Sequence, residues 1–362
     1  MSYSTGDNIK VTIFGQSHSD SVGVILDGVP PGVTIDYDKL NAFMLRRAPG
    51  RNEYQTSRKE PDTPIFLSGI SEGITCGAPI CAIIKNTNTR SADYEKLADI
   101  PRPGHADFTA YMKYQGFNDI RGGGQFSGRM TAPLCIAGGI LIQILESMGI
   151  NIGAHIYQIK DIKDTPFDPV NVNNDILNKV KEKDFAVISD NAGDKMKEEI
   201  LNAKSQGDSV GGIIECAITG LPAGLGGPLF EGLEGKIAQT VFAIPAVKGI
   251  EFGMGFESAN VFGSVHNDPY YMDSQGKVKT TTNNNGGILG GITSGMPIVF
   301  KTVIKPTPSI SKEQDSISIS ECVNKKLVIE GRHDPCIIPR AIPVIEAAAA
   351  IVIADLIKEI SL

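Results

Sequence analysis

Gly73-Ile-Thr-Cys-Gly-Ala-Pro-Ile80 and Gly291-Ile-Thr-Ser-Gly-Met-Pro-Ile298 are two versions of one string. Each runs into a β-rich stretch that ends near a lysine, Lys85 in one case and Lys305 in the other. Outward from them the same signals recur in the same order. Asp20-Ser-Val-Gly23 leads through apolar residues to Gly28-Val-Pro-Pro-Gly32, and Asp208-Ser-Val-Gly211 leads to Gly220-Leu-Pro-Ala-Gly224. An amphipathic helix follows in each half, with Leu40, Phe43 and Met44 before Pro49-Gly50, then Ile237 and Val241 before Pro245 and Gly249. Each half closes on a nearly uncharged stretch, Met130 to Met148 and Pro343 to Ile357, apolar on all sides and therefore suited to a buried centre. The repetition predicts a single internally duplicated α+β domain over residues 1–362, with central helices sandwiched between antiparallel sheets. The half repeats fall at about 9–150 and about 207–360, joined by a charged insertion at 151–206. Strands do not alternate regularly with helices, and no GxGxxG opens a helix after the first strand, which disfavours a doubly wound sheet.

Charge and composition narrow the function. Thirty-four Lys+Arg against 41 Asp+Glu give a net charge of −7. A broad basic face for nucleic acid or an anionic membrane is therefore excluded, and any anion site is local. Met130 to Ile142 reads as too short and too Gly-broken to span a bilayer. The N-terminal MSYSTGDNIK has no signal-peptide apolar region, so the expected location is the cytoplasm. The six cysteines include no CxxC pair and mostly sit in apolar runs, as reduced core thiols do, and no metal site is expected.

Arginine and histidine mark where the chemistry lies. All ten arginines fall outside residues 130–331, where lysine does the basic work. Arginine kept for Gly-rich segments suits bidentate grips on phosphate or carboxylate, so the ligand is read as a compact polyanion. Arg51 and Arg58, in a polar loop, are the best candidates for plain surface ion pairs. Three of five histidines lie in dense polar motifs: Gly15-Gln-Ser17-His18-Ser-Asp, Arg102-Pro-Gly-His105-Ala-Asp107 and Gly331-Arg332-His333-Asp334-Pro. A histidine beside an arginine-bound phosphate is a candidate proton donor to the leaving group. Arg121-Gly-Gly-Gly-Gln125-Phe126-Ser127 offers flexible backbone N–H groups and a hydroxyl just before the buried helix, an arrangement suited to an anionic cofactor. The Gly15–Ser19 stretch misses the nucleophile-elbow pattern at its last position, and neither a P-loop nor HExxH occurs.

The strings TIFGQSHSDSVGVILDGVPPG, RPGHADFT, RGGGQFSGRMTA, NNNGGILGGITSG, IKPTPSI and GRHDPC, in this order over nearly the whole chain, resemble the chorismate synthase family. The resemblance implies a homotetramer with a β-α-β sandwich fold. The implied activity is that of a carbon–oxygen lyase of the shikimate pathway, which converts 5-enolpyruvylshikimate 3-phosphate to chorismate and phosphate. That reaction is a 1,4-anti elimination with no net redox change, assisted by reduced FMN, whose N5 takes the hydrogen from C6 of the substrate. By matched motifs His18 protonates the departing phosphate, His105 sits beside the flavin ring, and Asp334 with Ser17 and Ser127 relays a proton from N5. Arg47, Gln125, Phe126, Ser127, Pro245, Ala246, Gly290, Lys305, Pro306, Thr307, Pro308, Ser309 and Arg332 match cofactor-contact positions. The match is imperfect: Glu53 stands in place of an arginine, Gln125-Phe126 in place of a basic-Ser pair, Pro245 in place of an Asn, and Pro308 interrupts a Lys-Pro-Thr-Ser-Ser pattern. NADPH stays open as the source of flavin electrons, and the lack of an extra nicotinamide domain points to the monofunctional type. The competing reading is a non-catalytic flavin or phospho-ligand binding protein.

Overall fold

The structure, a computed structural model, describes residues 2–56, 60–87, 99–329, 331 and 333–357. Its first sheet contains β1 (Ser4–Thr5), β2 (Lys10–Gly15), β3 (Ser21–Asp27), β4 (Ile65–Ser68) and β5 (Ile80–Lys85), in spatial order β1-β2-β3-β5-β4. The second contains β6 (Asn151–Ile159), β7 (Ile162–Lys163), β8 (Gly212–Thr219), β9 (Val247–Phe252) and β10 (Ile298–Ile304), in order β9-β10-β8-β6-β7. All pairings in both sheets are antiparallel. Helices α1 (Tyr37–Arg47), α2 (Asp107–Tyr114), α3 (Thr131–Ser147), α4 (Asn174–Glu182), α5 (Asp190–Ser205), α6 (Leu233–Phe242) and α7 (Ile338–Leu356) complete the frame. The α3 helix packs on β3 and β5, α7 on β6 and β8, and the two helices on each other, so a helical layer lies between the sheets.

The halves share their strand order: β2-β3-β5-β4 corresponds to β6-β8-β10-β9. The repeated string explains part of this in atomic detail. Thr75 Oγ1 accepts the Val33 N–H at 2.9 Å and donates to the Pro30 carbonyl at 2.7 Å. Thr293 Oγ1 accepts the Leu225 N–H at 2.9 Å and donates to the Pro222 carbonyl at 2.7 Å. A threonine one side chain long can tie the Gly-Pro turn to the hairpin only because both are held at this spacing.

Two expectations about the repeat need correction. The Asp-Ser-Val-Gly motifs are not equivalent in register: Leu26 pairs with Ile80 and Ile218 with Ile298, yet Gly23 lies three residues before Leu26 and Gly211 seven before Ile218. The insertion also begins later than 151, because residues 151–159 are β6, paired with β8 over its length. Its apolar residues satisfy a buried strand, and the charged run starts at Lys160. The segment between β6 and β8 thus occupies the place that a tight turn fills between β2 and β3. It is docked by His155, wholly buried, with Nδ1 3.1 Å from Asp164 and Nε2 3.0 Å from Glu215. Burial alone would lower the His155 pKa, but the two carboxylates outweigh it and raise the value.

The α1 helix forms where the periodicity placed it, with Asp36 capping the Lys39 N–H and Leu40 and Met44 facing the core. The α7 helix starts at Ile338, before the expected Pro343: Pro339 fits the first turn, and Pro343 forfeits one interior hydrogen bond. Residues Gly128–Ser147, contrary to the expectation for Met130 to Ile142, are long and apolar enough to cross a membrane by length and composition, and 78% of the stretch is buried inside the protein. At its middle α3 approaches α7 so closely that a methyl group at Gly138 would lie 2.2 Å from Ala347 Cβ. Gly138→Ala is accordingly expected to destabilise the fold by about 1–3 kcal/mol through overpacking, read by chemical denaturation. An unchanged midpoint would show that the helices can separate freely.

Candidate active site

Backbone geometry brings the first two motifs together. The turn Gln16–Asp20 joins β2 to β3, and the Ser17 N–H donates to the Gly124 carbonyl at 3.1 Å. In the run Arg121–Phe126, Gly122, Gly123 and Gly124 all take positive φ, at 61°, 83° and 54°. Only glycine serves at Gly122, because a Cβ there would lie 2.3 Å from the His18 ring and 2.6 Å from Ser17 Oγ. Ser17 is buried and His18 half-buried. The glycine run does not open α3 directly. Ser127 caps an intervening turn, Gly128–Met130, by accepting the Arg129 N–H at 3.2 Å.

Beside this run stands the 102–107 loop. Arg102 Nη2 is 4.0 Å from where a Cβ of Gly123 would be, and Arg102 is held by Asp107 in a two-point pair at 2.7 and 2.9 Å. His105 faces the segment after β10: its Nε2 is 2.8 Å from Ser309 Oγ and its Nδ1 is 3.2 Å from the Pro103 carbonyl. A carbonyl can only accept, so Nδ1 carries the proton and Ser309 donates to Nε2. Lys305 Nζ donates to the Gly104 carbonyl at 2.5 Å, and the Lys305 N–H donates to Ala246 O at 3.0 Å. Pro245, Ala246, Lys305–Ser309, Gly104 and His105 are therefore one surface. Ala246 adopts φ 74°, as Gly50 does at 81° after the corresponding proline of the first half.

Burial, followed by the charge of Arg102, pushes the His105 pKa down to about 4. The imidazole is neutral at pH 7. Its proton is lost on folding, so the stability it contributes is full above the unfolded value near 6.5 and is lost as pH falls towards about 4. An anion binding alongside raises this pKa, and the expected result is an upward shift of the His105 titration, read by NMR, when inorganic phosphate is added. No movement at saturating phosphate would place the anion elsewhere.

Behind both motifs lies an ionic cluster that the sequence did not disclose. Asp62, fully buried, bridges Arg47 and Arg129, and Arg129 also pairs with Glu60 at 3.3 Å. Arg47 spends Nε on Thr131 at 3.2 Å and Nη2 on the Gly128 carbonyl at 3.1 Å. It is 4% exposed, and in this structure its guanidinium bonds are made to the scaffold under the site. Asp334 is held in the same cluster. Its carboxylate is taken by Arg340 Nη1 at 2.5 Å and the Thr56 N–H at 2.8 Å, while Arg340 Nε donates to the Arg47 carbonyl at 3.1 Å. Both carboxylate oxygens are thus engaged, which fixes the orientation of Asp334.

The remaining residues divide. Gln125 and Phe126 end the glycine run, with Phe126 tilted over Tyr114 at 6.3 Å. Arg332 lies outside the described residues. Gly290 is at a hairpin turn on the Ile298 end of β10, at φ 62° and with open space where a Cβ would be, whereas Lys305 follows its Ile304 end. With a rise of about 3.3 Å per residue, the length of β10 separates Gly290 from the Lys305 segment within one chain. Asp62 and Asn86 carry no periodicity or motif, and their partners lie distant in sequence, so only the fold reveals them.

A neutral imidazole, a second histidine on a turn packed against a glycine run, and an arginine held by a carboxylate beside that run suit an enzyme that handles a small anion. The chorismate synthase family model matches residues 9–357. A chorismate synthase of Dehalococcoides mccartyi is 44% identical over 356 residues, covering 98% of this chain and 96% of its own. That of Pyrococcus abyssi is 45% identical over 350 residues, covering 97% and 96%. A crystal structure of chorismate synthase aligns with a TM-score of 0.75 at 28% identity, covering 97% of this chain and 92% of that one. The chain belongs to the chorismate synthase family.

Proposed function

We propose that the chain eliminates phosphate from 5-enolpyruvylshikimate 3-phosphate to give chorismate, as a carbon–oxygen lyase that binds reduced FMN. The observation that carries the reading is the convergence of Ser17 and His18 with Gly122, and of Arg102 and Ser127 with Gly123. There an acid, hydroxyls and a fixed cation meet on one backbone-rich surface. His18 donates a proton to the phosphate oxygen as it departs, and Arg102, aligned by Asp107, holds the anion.

The residues present fit the flavin. Thr307 Oγ1, in the segment beside His105, is buried and has no hydrogen-bond partner among the described residues, so a polar ligand group has a hydroxyl to meet. Ser127, Gln125, Phe126, Ala246 and Lys305–Ser309 would hold it, mainly by backbone groups, except that Pro245, Pro306 and Pro308 offer carbonyls but no N–H. Reduced FMN, when bound, lends electron density to C–O cleavage and recovers it. His105 presents its neutral ring beside that segment, and Ser309 keeps its tautomer fixed.

The broad exposure of Phe230, Phe256 and Phe262, at 96%, 82% and 82%, supports the homotetramer. Gly290, remote from Lys305 in one chain, would then complete a neighbouring subunit's site. We assign the enzyme to the cytoplasm and to the monofunctional type, with NADPH acting only through a separate reductase.

The test is anaerobic incubation with chemically reduced FMN and the enolpyruvyl substrate, following chorismate absorbance and released phosphate. Ligand binding without turnover would instead make the protein a flavin or phospho-ligand binder. Turnover in air with NADPH and FMN alone would overturn the monofunctional assignment.

A further inference from the structure

We propose that Asn86 is a positioning residue that sets the His18 imidazole through the turn that carries it; this rests on the reading of His18 as the acid. Asn86 follows β5, and its backbone N–H donates to the Asp20 carbonyl at 3.0 Å. Its side-chain amide has one possible orientation. Arg129 Nε, which can only donate, lies 2.9 Å from Oδ1, so the Nδ2 group faces the turn. There it donates to the carbonyls of Gln16 at 3.1 Å and Ser19 at 2.8 Å, which flank Ser17-His18 on either side. One amide thus clasps both ends of the segment bearing the histidine.

The clasp is anchored from behind. Arg129 is 5% exposed and is fixed by Asp62 and Glu60, while its own N–H donates to Ser127 Oγ at 3.2 Å. Asn86 therefore joins the turn holding His18 to the element that positions the glycine run and Ser127. Ser19 Oγ, accepting the Gln16 N–H at 2.8 Å, keeps the turn closed locally but gives it no fixed relation to Arg129. Beside the Ser17 N–H to Gly124 carbonyl bond at 3.1 Å, which ties the turn to the glycine run, the tie to Arg129 comes through Asn86, and displacement of a reacting group by about 1 Å can cost about 10²-fold in rate.

In Asn86→Ala, kcat is expected to fall roughly 10- to 100-fold while KM for the enolpyruvyl substrate stays within about twofold. Asn86→Asp, which keeps the shape but loses both donors, should fall as far, and it serves if the alanine variant does not fold. The decisive readout is a double-mutant cycle. Adding Asn86→Ala to His18→Ala should cause no further loss of kcat, because Asn86 acts through His18. A further full loss in that background, unchanged kcat in both single variants, or a change confined to KM would overturn the proposal. If His18→Ala alone retains wild-type kcat, the acid reading itself fails, and the proposal falls with it for a separate and recognisable reason.

Discussion

His18→Ala is expected to lower kcat by about 10²- to 10⁴-fold, the usual worth of a general acid, with a much smaller change in substrate KM. The residue sits on a turn, outside the packed core, and next to a glycine whose missing side chain makes room for the ring. The melting midpoint should therefore hold. Single-turnover measurements with reduced FMN isolate the chemical step. Wild-type kcat in the variant removes His18 from the mechanism, and a loss of binding alone makes it a ligand contact.

Asp62→Asn should cost about 3–5 kcal/mol of stability, the typical penalty for leaving a buried charge without its partner. The substitution keeps the shape of a fully buried side chain and removes the charge between Arg47 and Arg129. Burial on its own would raise the Asp62 carboxyl, but the two guanidinium groups together hold it below the ordinary carboxylate value. The sign follows: with the folded-state pKa depressed, the contribution is present above the unfolded value near 4 and is lost as pH falls through the folded one. Denaturation curves of wild type and variant should differ widely at pH 7 and converge in acid. Equal stability at pH 7 would show that the arginines find other partners.

What could be read beforehand was what local periodicity encodes. The α1, α3 and α6 helices announce themselves by apolar spacing, and the repeated Gly-Ile-Thr string located two hairpins that the structure ties with equivalent threonines. The start of α7 is not legible because a proline commonly opens a helix, whereas Pro343 lies inside this one and Pro339 in its first turn. The β6 strand was lost because an apolar strand abuts a charged segment, and composition averaged across the join hides it. At the site, motifs found His18, His105 and the glycine run. Asp62 and Asn86 remained invisible because one polar residue in a loop says nothing about arginines that meet it only after the sheets close. Arg47 shows what residue type alone leaves out: its guanidinium is buried against Asp62, Thr131 and the Gly128 carbonyl.

The connection between the first two strands has different occupants in the two halves. In one it is the short turn bearing Ser17 and His18; in the other it is the charged segment beginning at Lys160 and pinned by His155. A duplicated frame would by default offer two copies of whatever that connection presents. Here the two connections differ, so the shared strand order carries, under the proposed function, a proton donor on one of them. Symmetry has been retained where it builds the core and given up where it would have doubled the stoichiometry.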